Sequence, residues 1–519
     1  MAKSDKNQPS ATVHKSIWAP AIVTSMFLFG ITFILPLVIH NGYYDITETK
    51  AYCFGSLAAI YILALTVVSA IKAIKAKSIH NIRHIKPDYT EIAIAVFAVV
   101  YLVSALLSDR SATVWFGVGA RYQGVVAILL YTAVMFAVSH NYGYSQRVLI
   151  GTVAAFEIVC IIALLNCYNT DVLGFYADLE LTDKSRFIST IGNINFYSSY
   201  ISLIFPLVIY GFCRAEGALT KAFFGLALAI GSLGVMVSSS ESFAVGLVVA
   251  LSIIPLFFFK DARIMKRFSV GIIIFLVISK AYDVFYTKTE AILMPNVKIS
   301  LLLNALVNDY IVYPAIAVFV VILLIALKKP GLLKMLHKVY AIVLVLGAVS
   351  VIGAFIGANT VLKETDFGIF NEFIKITDSW GSDRGTIWKI CIELYRNLPL
   401  RQKLFGVGPE NLFKFTPAIQ GYTGLKLDQA HNEYLQYLIT TGLCGLLSYI
   451  SVLVCVSIKI IKKASKNELA VAIFAGLAAY WVQAFFNIAQ PFSTPIMFTF
   501  IAWALAESRF SEQKINNNF

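Results

Sequence analysis

The side chains best suited to chemistry in this sequence are one histidine and three arginines, each at the edge of an apolar segment. His431 opens the stretch AHNEYLQYLITTGLCGLL (430–447). A histidine at such an edge is suited to proton transfer, because its pKa lies near ambient pH. A helix-end histidine that hydrogen-bonds a carbonyl is the alternative, and position alone favours that alternative.

The three arginines are Arg121 in VWFGVGARYQGV (114–125), Arg186 before STIGNINFYSSYISL (189–203), and Arg384 in SWGSDRGTIWK (379–389). A guanidinium forks onto phosphate oxygens with two parallel hydrogen bonds. For each arginine taken alone, a side chain that reaches from an apolar edge towards water is the simpler interpretation. Three arginines and a histidine on one surface would fit an anionic lipid headgroup, but sequence does not prove that they converge.

Three further polar residues lie within or next to apolar segments. Asn193 and Asn195 precede the stretch FYSSYISL, where amides suit sugar hydroxyls and plain helix capping is at least as consistent. Glu157 lies near the middle of an apolar run, which makes it a functional candidate, although a protonated carboxyl that bonds a neighbouring helix has equal weight. The sequence has no P-loop, no GxGxxG and no Asp-x-Asp pair that would mark a nucleotide or metal site.

The composition requires that lipid solvates these segments. The 519 residues are 58% hydrophobic and 14% charged, whereas a soluble domain carries about 25% charged residues. The apolar runs are close to 20 residues long and lack period-2 alternation, so they indicate transmembrane helices rather than a barrel. We predict an all-α polytopic membrane protein with about fourteen spans, at roughly 17–39, 53–74, 91–108, 122–139, 148–167, 196–213, 221–238, 242–259, 268–286, 311–327, 339–357, 433–458, 469–487 and 492–508.

Charge fixes the expected orientation. Basic strings such as KDARIMKR (260–267), KKPGLLKMLHK (328–338) and KIIKKASK (459–466) all fall on one side of the predicted bundle. The positive-inside rule places that side and both termini in the cytoplasm. The net charge of +13 therefore favours basic orienting loops over a nucleic-acid partner. The run 17–39 is too long for a signal peptide, and we expect it to remain as the first span. The seven cysteines contain no CxxC and predict neither disulfides nor a metal site.

One large external loop, 358–432, interrupts an otherwise single membrane domain (1–519). Ser382 and Asp383 are expected to cap an amphipathic helix over about 383–397, whose apolar stripe would lie on the outer leaflet. LFGVGPENLF (404–413) predicts a glycine turn followed by a short helix that begins at Pro409.

These loop strings resemble the O-antigen ligase / Wzy-type polysaccharide polymerase superfamily, which are membrane glycosyltransferases of the GT-C type. SDRGTIWK, LFGVGPENLF and AHNEYLQYLITTGLCGLL match in order, in spacing and in their place before a late span. RYQG (121–124) and STIGNINFYSSY (189–200) match earlier signatures of the family. The resemblance covers roughly residues 110–460, and its loop signature is the specific part.

The resemblance implies transfer of a glycan from an undecaprenyl-diphosphate carrier to an acceptor hydroxyl, on the outer face of the cytoplasmic (inner) membrane. It assigns the base to His431 and the diphosphate clamp to Arg384, with Arg121 and Arg186 as further candidates. Asn193, Asn195 and Glu433 become candidates for acceptor or sugar contacts. We expect no cofactor and no metal. The partners would be the lipid-linked donor, a glycan, lipid or protein acceptor, and membrane lipids. A single displacement would invert the anomeric configuration.

One string departs from the family. Where relatives often carry a Ser-Arg-Gly-like sequence after the seventh span, this chain has SSSESFAVG (238–246), with Glu241 near the position of the arginine. The clamp is then built differently, for instance with Arg186, or the acceptor differs. The residues do not separate a ligase from a polymerase. A lipid-linked oligosaccharide flippase is the alternative from another class, although the large loop and the lack of a visible repeat argue against it. An inactive assembly scaffold is the third reading.

Overall fold

The computed structural model is almost entirely helical and describes residues 11–75, 87–119, 121–143, 145–176, 179–294, 298–415, 428–463 and 467–516. The helices are α1 (Ala11–Phe29), α2 (Leu35–Leu37), α3 (Ile46–Lys75), α4 (Tyr89–Leu106), α5 (Ala112–Phe116), α6 (Val125–Asn141), α7 (Gln146–Cys167), α8 (Leu181–Lys184), α9 (Ile194–Arg214), α10 (Ala218–Met236), α11 (Glu241–Phe258), α12 (Ala262–Lys288), α13 (Leu301–Val307), α14 (Asp309–Lys328), α15 (Leu332–Asn359), α16 (Asn371–Ile374), α17 (Trp380–Asn397), α18 (Leu400–Phe405), α19 (Glu433–Thr440), α20 (Gly442–Lys463), α21 (Glu468–Gln483) and α22 (Thr494–Asn516). A π-turn at Gly30–Ile34 joins α1 to α2, 3-10 turns cover Glu290–Ile292, Gly368–Phe370, Asn411–Phe415 and Ala484–Phe486, and β1 (Phe187–Ile188) pairs with antiparallel β2 (Gly192–Asn193).

Twelve helices in the described part of the chain are long and apolar enough to cross a membrane. The prediction of an all-α polytopic membrane protein is therefore confirmed, although two of the fourteen predicted spans are not among the twelve. The fourth corresponds to α6, which is apolar but only 17 residues long. The last corresponds to α22, whose apolar first half gives way to Glu507 and Arg509.

The ninth predicted span is a continuous helix in spite of the two charges that interrupt its sequence. In α12, the Lys280 ammonium lies 3.0 Å from the Asp283 carboxylate and 2.9 Å from that of Asp309. Lys280 also donates to the carbonyl of Val307 at 3.0 Å. The charges therefore neutralise one another at the end of the helix, where they also tie it to α14.

The core of the bundle lies around α9 and α21, which pack against each other and are buried along most of their length. By contrast, α14 and α15 stand at the edge with most of their apolar side chains exposed. Apolar exposure on this scale fits helices that face lipid rather than water. The long loop emerges from the end of α15 and re-enters at α19, so we call this end of the bundle the loop end.

A charged network holds the opposite end together. Asp88 caps the start of α4 and forms an ion pair with Lys459 of α20. Arg509 of α22 lies 2.5 Å from the carboxylate of Glu91, and Glu91 also meets the imidazole of His140. These contacts fix the last helix against α4, α6 and α20. The polar N-terminal segment, residues 1–10, lies outside the described residues.

The amphipathic helix of the loop is present, but its start and its surroundings differ from the prediction. Gly381, Ser382 and Asp383 all have positive φ angles, so the regular helix begins at Arg384 and no side chain of Ser382 or Asp383 caps it. Thr386 instead donates both its N–H and its hydroxyl to the carbonyl of Asp378, each at 3.1 Å.

The apolar stripe of α17 is covered by protein rather than by the outer leaflet. Its residues pack on a small core made by the loop and α19, which includes Cys391, Leu398, Val407, Leu412, Ala430 and Ile439. The indoles of Trp380 and Trp388 pack on Phe485 and Phe486 at the end of α21. The prediction that this helix lies on the leaflet is therefore wrong: the loop folds onto its own apolar side chains and onto the bundle.

The predicted span 433–458 is two helices, because the helical conformation is interrupted between Thr440 and Gly442. Gly442 has φ +73°, and a Cβ atom there would lie 2.3 Å from the backbone of Leu404. In the gap, Val407 N–H donates to the Ile439 carbonyl at 3.0 Å and Gly408 N–H to the Thr440 carbonyl at 2.9 Å. The glycine turn of the loop thus donates hydrogen bonds to the last carbonyls of α19. After the turn, the short helix is a 3-10 helix that begins at Asn411 rather than at Pro409.

Candidate functional site

His431 lies at the loop end, immediately before α19, in a strained backbone conformation. Its φ is +48°, and its side chain is 36% exposed. The next residue, Asn432, caps α19 by accepting a hydrogen bond from the N–H of Leu435 at 3.0 Å. Left-handed residues other than glycine cost about 1–3 kcal/mol each and are found disproportionately at functional sites. Asn432, rather than His431, makes the side-chain cap of α19.

The imidazole of His431 is surrounded by charge of both signs. Burial has the largest effect and lowers the pKa of the His431 imidazole below its ordinary value; the Asp428 carboxylate opposes this effect, while the positive charges of Arg384 and Arg121 lower the pKa further. The Asp428 carboxylate lies 3.8 Å from Nε2 of His431. A lowered pKa favours the neutral imidazole, which has a lone pair with which to accept a proton.

Arg121 reaches this histidine from the segment before α6. Its guanidinium forms an ion pair with Asp428, and its backbone N–H donates to Oε2 of Glu410 at 3.0 Å. Further along the same two segments, Asp109 forms an ion pair with Lys414. These contacts join parts of the chain that are about 300 residues apart, so the loop is fastened to the bundle directly beside His431.

Glu410 of LFGVGPENLF is the buried acid beneath the site. It is 5% exposed and has φ +58°. Burial raises the pKa of its carboxyl to about 7, although the N–H and charge of Arg121 and the amide of Gln429 pull it down. The amide nitrogen of Gln429 donates to Oε2 at 3.3 Å. One carboxyl therefore holds both the Arg121 segment and the segment that leads into His431.

Arg384 stands at the first regular turn of α17. Its Nη1 donates to the Gly381 carbonyl at 2.6 Å, and its Nε is buried without a hydrogen-bond partner among the described residues. Burial lowers the pKa of Arg384, but a guanidinium stays charged in proteins. Gly385 permits this position, because a Cβ atom there would lie 1.8 Å from the Thr377 carbonyl. A buried donor without a partner is free to bind a ligand oxygen.

Arg186 is not part of this charge group. It is 69% exposed and pairs with Asp183 at 3.1 Å, just before the small hairpin. Asn193 caps α9 by accepting from the N–H of Asn195 at 2.9 Å. The Asn195 carbonyl accepts from Asn487 at 3.0 Å, which places it in a polar layer between α9 and the end of α21.

The acidic candidates and the second histidine lie elsewhere. Glu433 is buried and accepts a hydrogen bond from the Tyr480 hydroxyl at 2.8 Å. Glu157 has a buried carboxyl oxygen with no partner among the described residues, so the interhelical bond considered for it is not present at that atom. Glu241 accepts from Leu301 N–H at 2.5 Å and Leu302 N–H at 3.0 Å, so it binds the first turn of α13 beside the N-cap residue Ser300. His40 is 79% exposed and pairs with Asp45.

Sequence reasoning did not assign a role to Asp428 or Glu410. An acid three residues before His431 was a visible signal, but acids are common in loops. Glu410 was inside a recognised motif, yet its burial depends on contacts with Arg121 and Gln429 that no local pattern encodes. Within the described residues, no group of three or more His, Cys, Asp or Glu side chains could hold a metal ion.

This arrangement combines a neutral imidazole with two guanidinium groups at one end of a membrane bundle. It can accept a proton and stabilise negative charge on a phosphate-like ligand in the same place. A search for similar curated proteins found no match. Residues 308–450 match the family model described as O-antigen ligase, and this range includes Arg384, Glu410, Asp428 and His431 but not Arg121 or Arg186. The match supports an enzymatic role in glycan transfer, and over residues 308–450 it confirms the resemblance to the O-antigen ligase family that the loop motifs predicted.

Proposed function

We propose that this protein transfers a glycan from an undecaprenyl-diphosphate-linked donor to an acceptor hydroxyl, as an O-antigen ligase or a polysaccharide polymerase. The observation that carries the proposal is the position of His431 among the charges of Arg121, Arg384 and Asp428, inside the family region. The basic loops support an orientation in which the loop end is the outer face of the inner membrane and both termini are in the cytoplasm.

The two arginines supply the electrostatic part of the chemistry. As the bond between the anomeric carbon and the diphosphate oxygen breaks, negative charge grows on the leaving group. Arg384 has a buried, unpartnered Nε, and Arg121 exposes 28% of its side chain, so both have donors to offer to phosphate oxygens. Donors that are already fixed around the leaving group stabilise such charge without the reorganisation that water requires. This charge stabilisation needs no metal ion.

His431 supplies the proton transfer. The acceptor hydroxyl becomes nucleophilic as its proton moves to the neutral imidazole, while its oxygen bonds the anomeric carbon and undecaprenyl diphosphate departs. Attack opposite the leaving group inverts the configuration in one step. No covalent enzyme intermediate forms. Asn195 and the polar layer around it are candidates for sugar hydroxyls, and Arg186 and Asn193 remain candidates at the edge of the same end.

The test is a transfer assay with purified protein in proteoliposomes. A lipid-linked glycan donor is supplied with an acceptor glycan, and the released undecaprenyl diphosphate and the lengthened acceptor are measured together. We expect stoichiometric release and transfer, with inversion at the new linkage. If the donor is translocated across the bilayer but the bond between its sugar and its diphosphate stays intact, the protein is a transporter and the proposal fails.

A further inference from the structure

The carboxylate of Asp428 lies between the diphosphate-binding side and the base side of the site. One of its oxygens, Oδ2, forms an ion pair with Nη2 of Arg121. The other, Oδ1, faces Nε2 of His431 at 3.8 Å. The second distance is longer than a hydrogen bond, so in this state the carboxylate is committed to Arg121 rather than to the imidazole.

We propose that Asp428 is a positioning residue that couples donor binding to the activation of His431, an inference that rests on the function proposed above. With the site empty, Asp428 neutralises Arg121. A donor diphosphate competes for the same guanidinium and releases the carboxylate. The freed carboxylate then turns to His431, where it orients the ring and stabilises the imidazolium that forms when the acceptor proton arrives.

The ion pair is accessible, and the distance that must shorten is small. Asp428 is 49% exposed and Arg121 28%, so their ion pair is open to a ligand from the loop end. The distance of 3.8 Å between Oδ1 of Asp428 and Nε2 of His431 must shorten by about 1 Å or less to reach hydrogen-bond range. A half-exposed ion pair is worth at most about 1 kcal/mol, so a doubly charged diphosphate can replace it.

Charges on every neighbouring segment act on this histidine. Asp428 lies on the loop side, Arg384 on α17 and Arg121 on the segment before α6, while buried Glu410 lies beneath Arg121. Burial and the charges of Arg384 and Arg121 lower the pKa of the His431 imidazole, and among the described residues the Asp428 carboxylate is the group that raises it. Removal of its charge should therefore leave a weaker base, while it frees Arg121 for the donor. The two effects have opposite signs in a kinetic experiment, which a purely structural role would not produce.

The test compares Asp428→Asn with wild type as full-length proteins in proteoliposomes. We expect binding of undecaprenyl diphosphate to tighten by up to about fivefold, because the competing ion pair is gone. We expect kcat to fall roughly tenfold, and the acid limb of the pH profile to move to lower pH. Asp378→Asn is the matched control: it removes another loop carboxylate, one that is 74% exposed and pairs with Lys389.

A second measurement does not depend on turnover. Diethyl pyrocarbonate modifies neutral imidazole, so the pH dependence of His431 labelling, read by mass spectrometry, reports its protonation. In Asp428→Asn the labelling midpoint should move to lower pH. Unchanged affinity and an unchanged labelling midpoint would overturn the coupling, as would weaker donor binding. If wild type itself releases no undecaprenyl diphosphate, the proposed function fails, while binding and labelling still decide the role of Asp428.

Discussion

Replacement of His431 by glutamine removes the proposed base and keeps a side chain that can still form hydrogen bonds. Removal of a general base costs roughly 10²–10⁴-fold in rate, which corresponds to about 2.7–5.5 kcal/mol of transition-state stabilisation. Glu410 offers little compensation, because its carboxyl is buried. We therefore expect a loss within that range, in kcat rather than in the donor KM, since both guanidinium groups remain.

The transfer activity is also expected to depend on pH, and the lowered pKa of His431 fixes the direction. Only the neutral imidazole accepts a proton, and its folded pKa is lowered by burial and by the two arginines. Wild type should therefore stay active below the ordinary histidine pKa of about 6.5, and lose activity only when the pH falls through the lowered value. His40→Gln is the matched control, because His40 lies at the same end of the bundle but is 79% exposed.

Two results would refute this reasoning. Near wild-type transfer by His431→Gln would make the residue structural and would move the search for a base to Glu410 or Glu433. An acid limb that remains in the His431→Gln enzyme with an unshifted midpoint would show that another group is the one that titrates. Equal loss in the His40→Gln control would point to general destabilisation of the loop end.

Three further outcomes follow from the same geometry. Arg384→Lys keeps the positive charge but loses the two parallel N–H donors of the guanidinium. Loss of a charge-assisted hydrogen bond worth about 1.5–3 kcal/mol should weaken the binding of undecaprenyl diphosphate by roughly 10–150-fold. A cysteine at Leu400, which is 73% exposed in the loop, should react with a membrane-impermeant thiol reagent on intact cells, and one at Lys329 should react only after lysis; the reverse pattern would invert the topology. Gly442→Ala should lower stability by about 1–3 kcal/mol through its positive φ and its contact with Leu404, seen as a lower Tm in detergent. Gly347→Ala, where a Cβ atom meets nothing within 4 Å, should not.

Part of the site could be predicted because the family motifs are local strings. His431 and Arg384 were both identified from such strings, and Arg121 from the string before the fourth predicted span. The predicted cap at Ser382 and Asp383 is wrong because Gly381, Ser382 and Asp383 all adopt positive φ angles, which the pattern of residues in SWGSDRG does not predict. Glu241 could not be interpreted from sequence, since its carboxylate binds the first N–H groups of a helix 60 residues away.

The sequence by itself determined that this chain spans a membrane, because apolar runs of about 20 residues have no other stable solution. It also determined which loop is large and which strings in it carry the family signature. Only the tertiary structure decided which charged groups meet. The contacts of Arg121 with Asp428 and Glu410 join residues about 300 positions apart, and such a pairing depends on how the helices pack rather than on any local pattern. The neutral state of His431 has the same origin, because burial and two distant arginines lower its pKa.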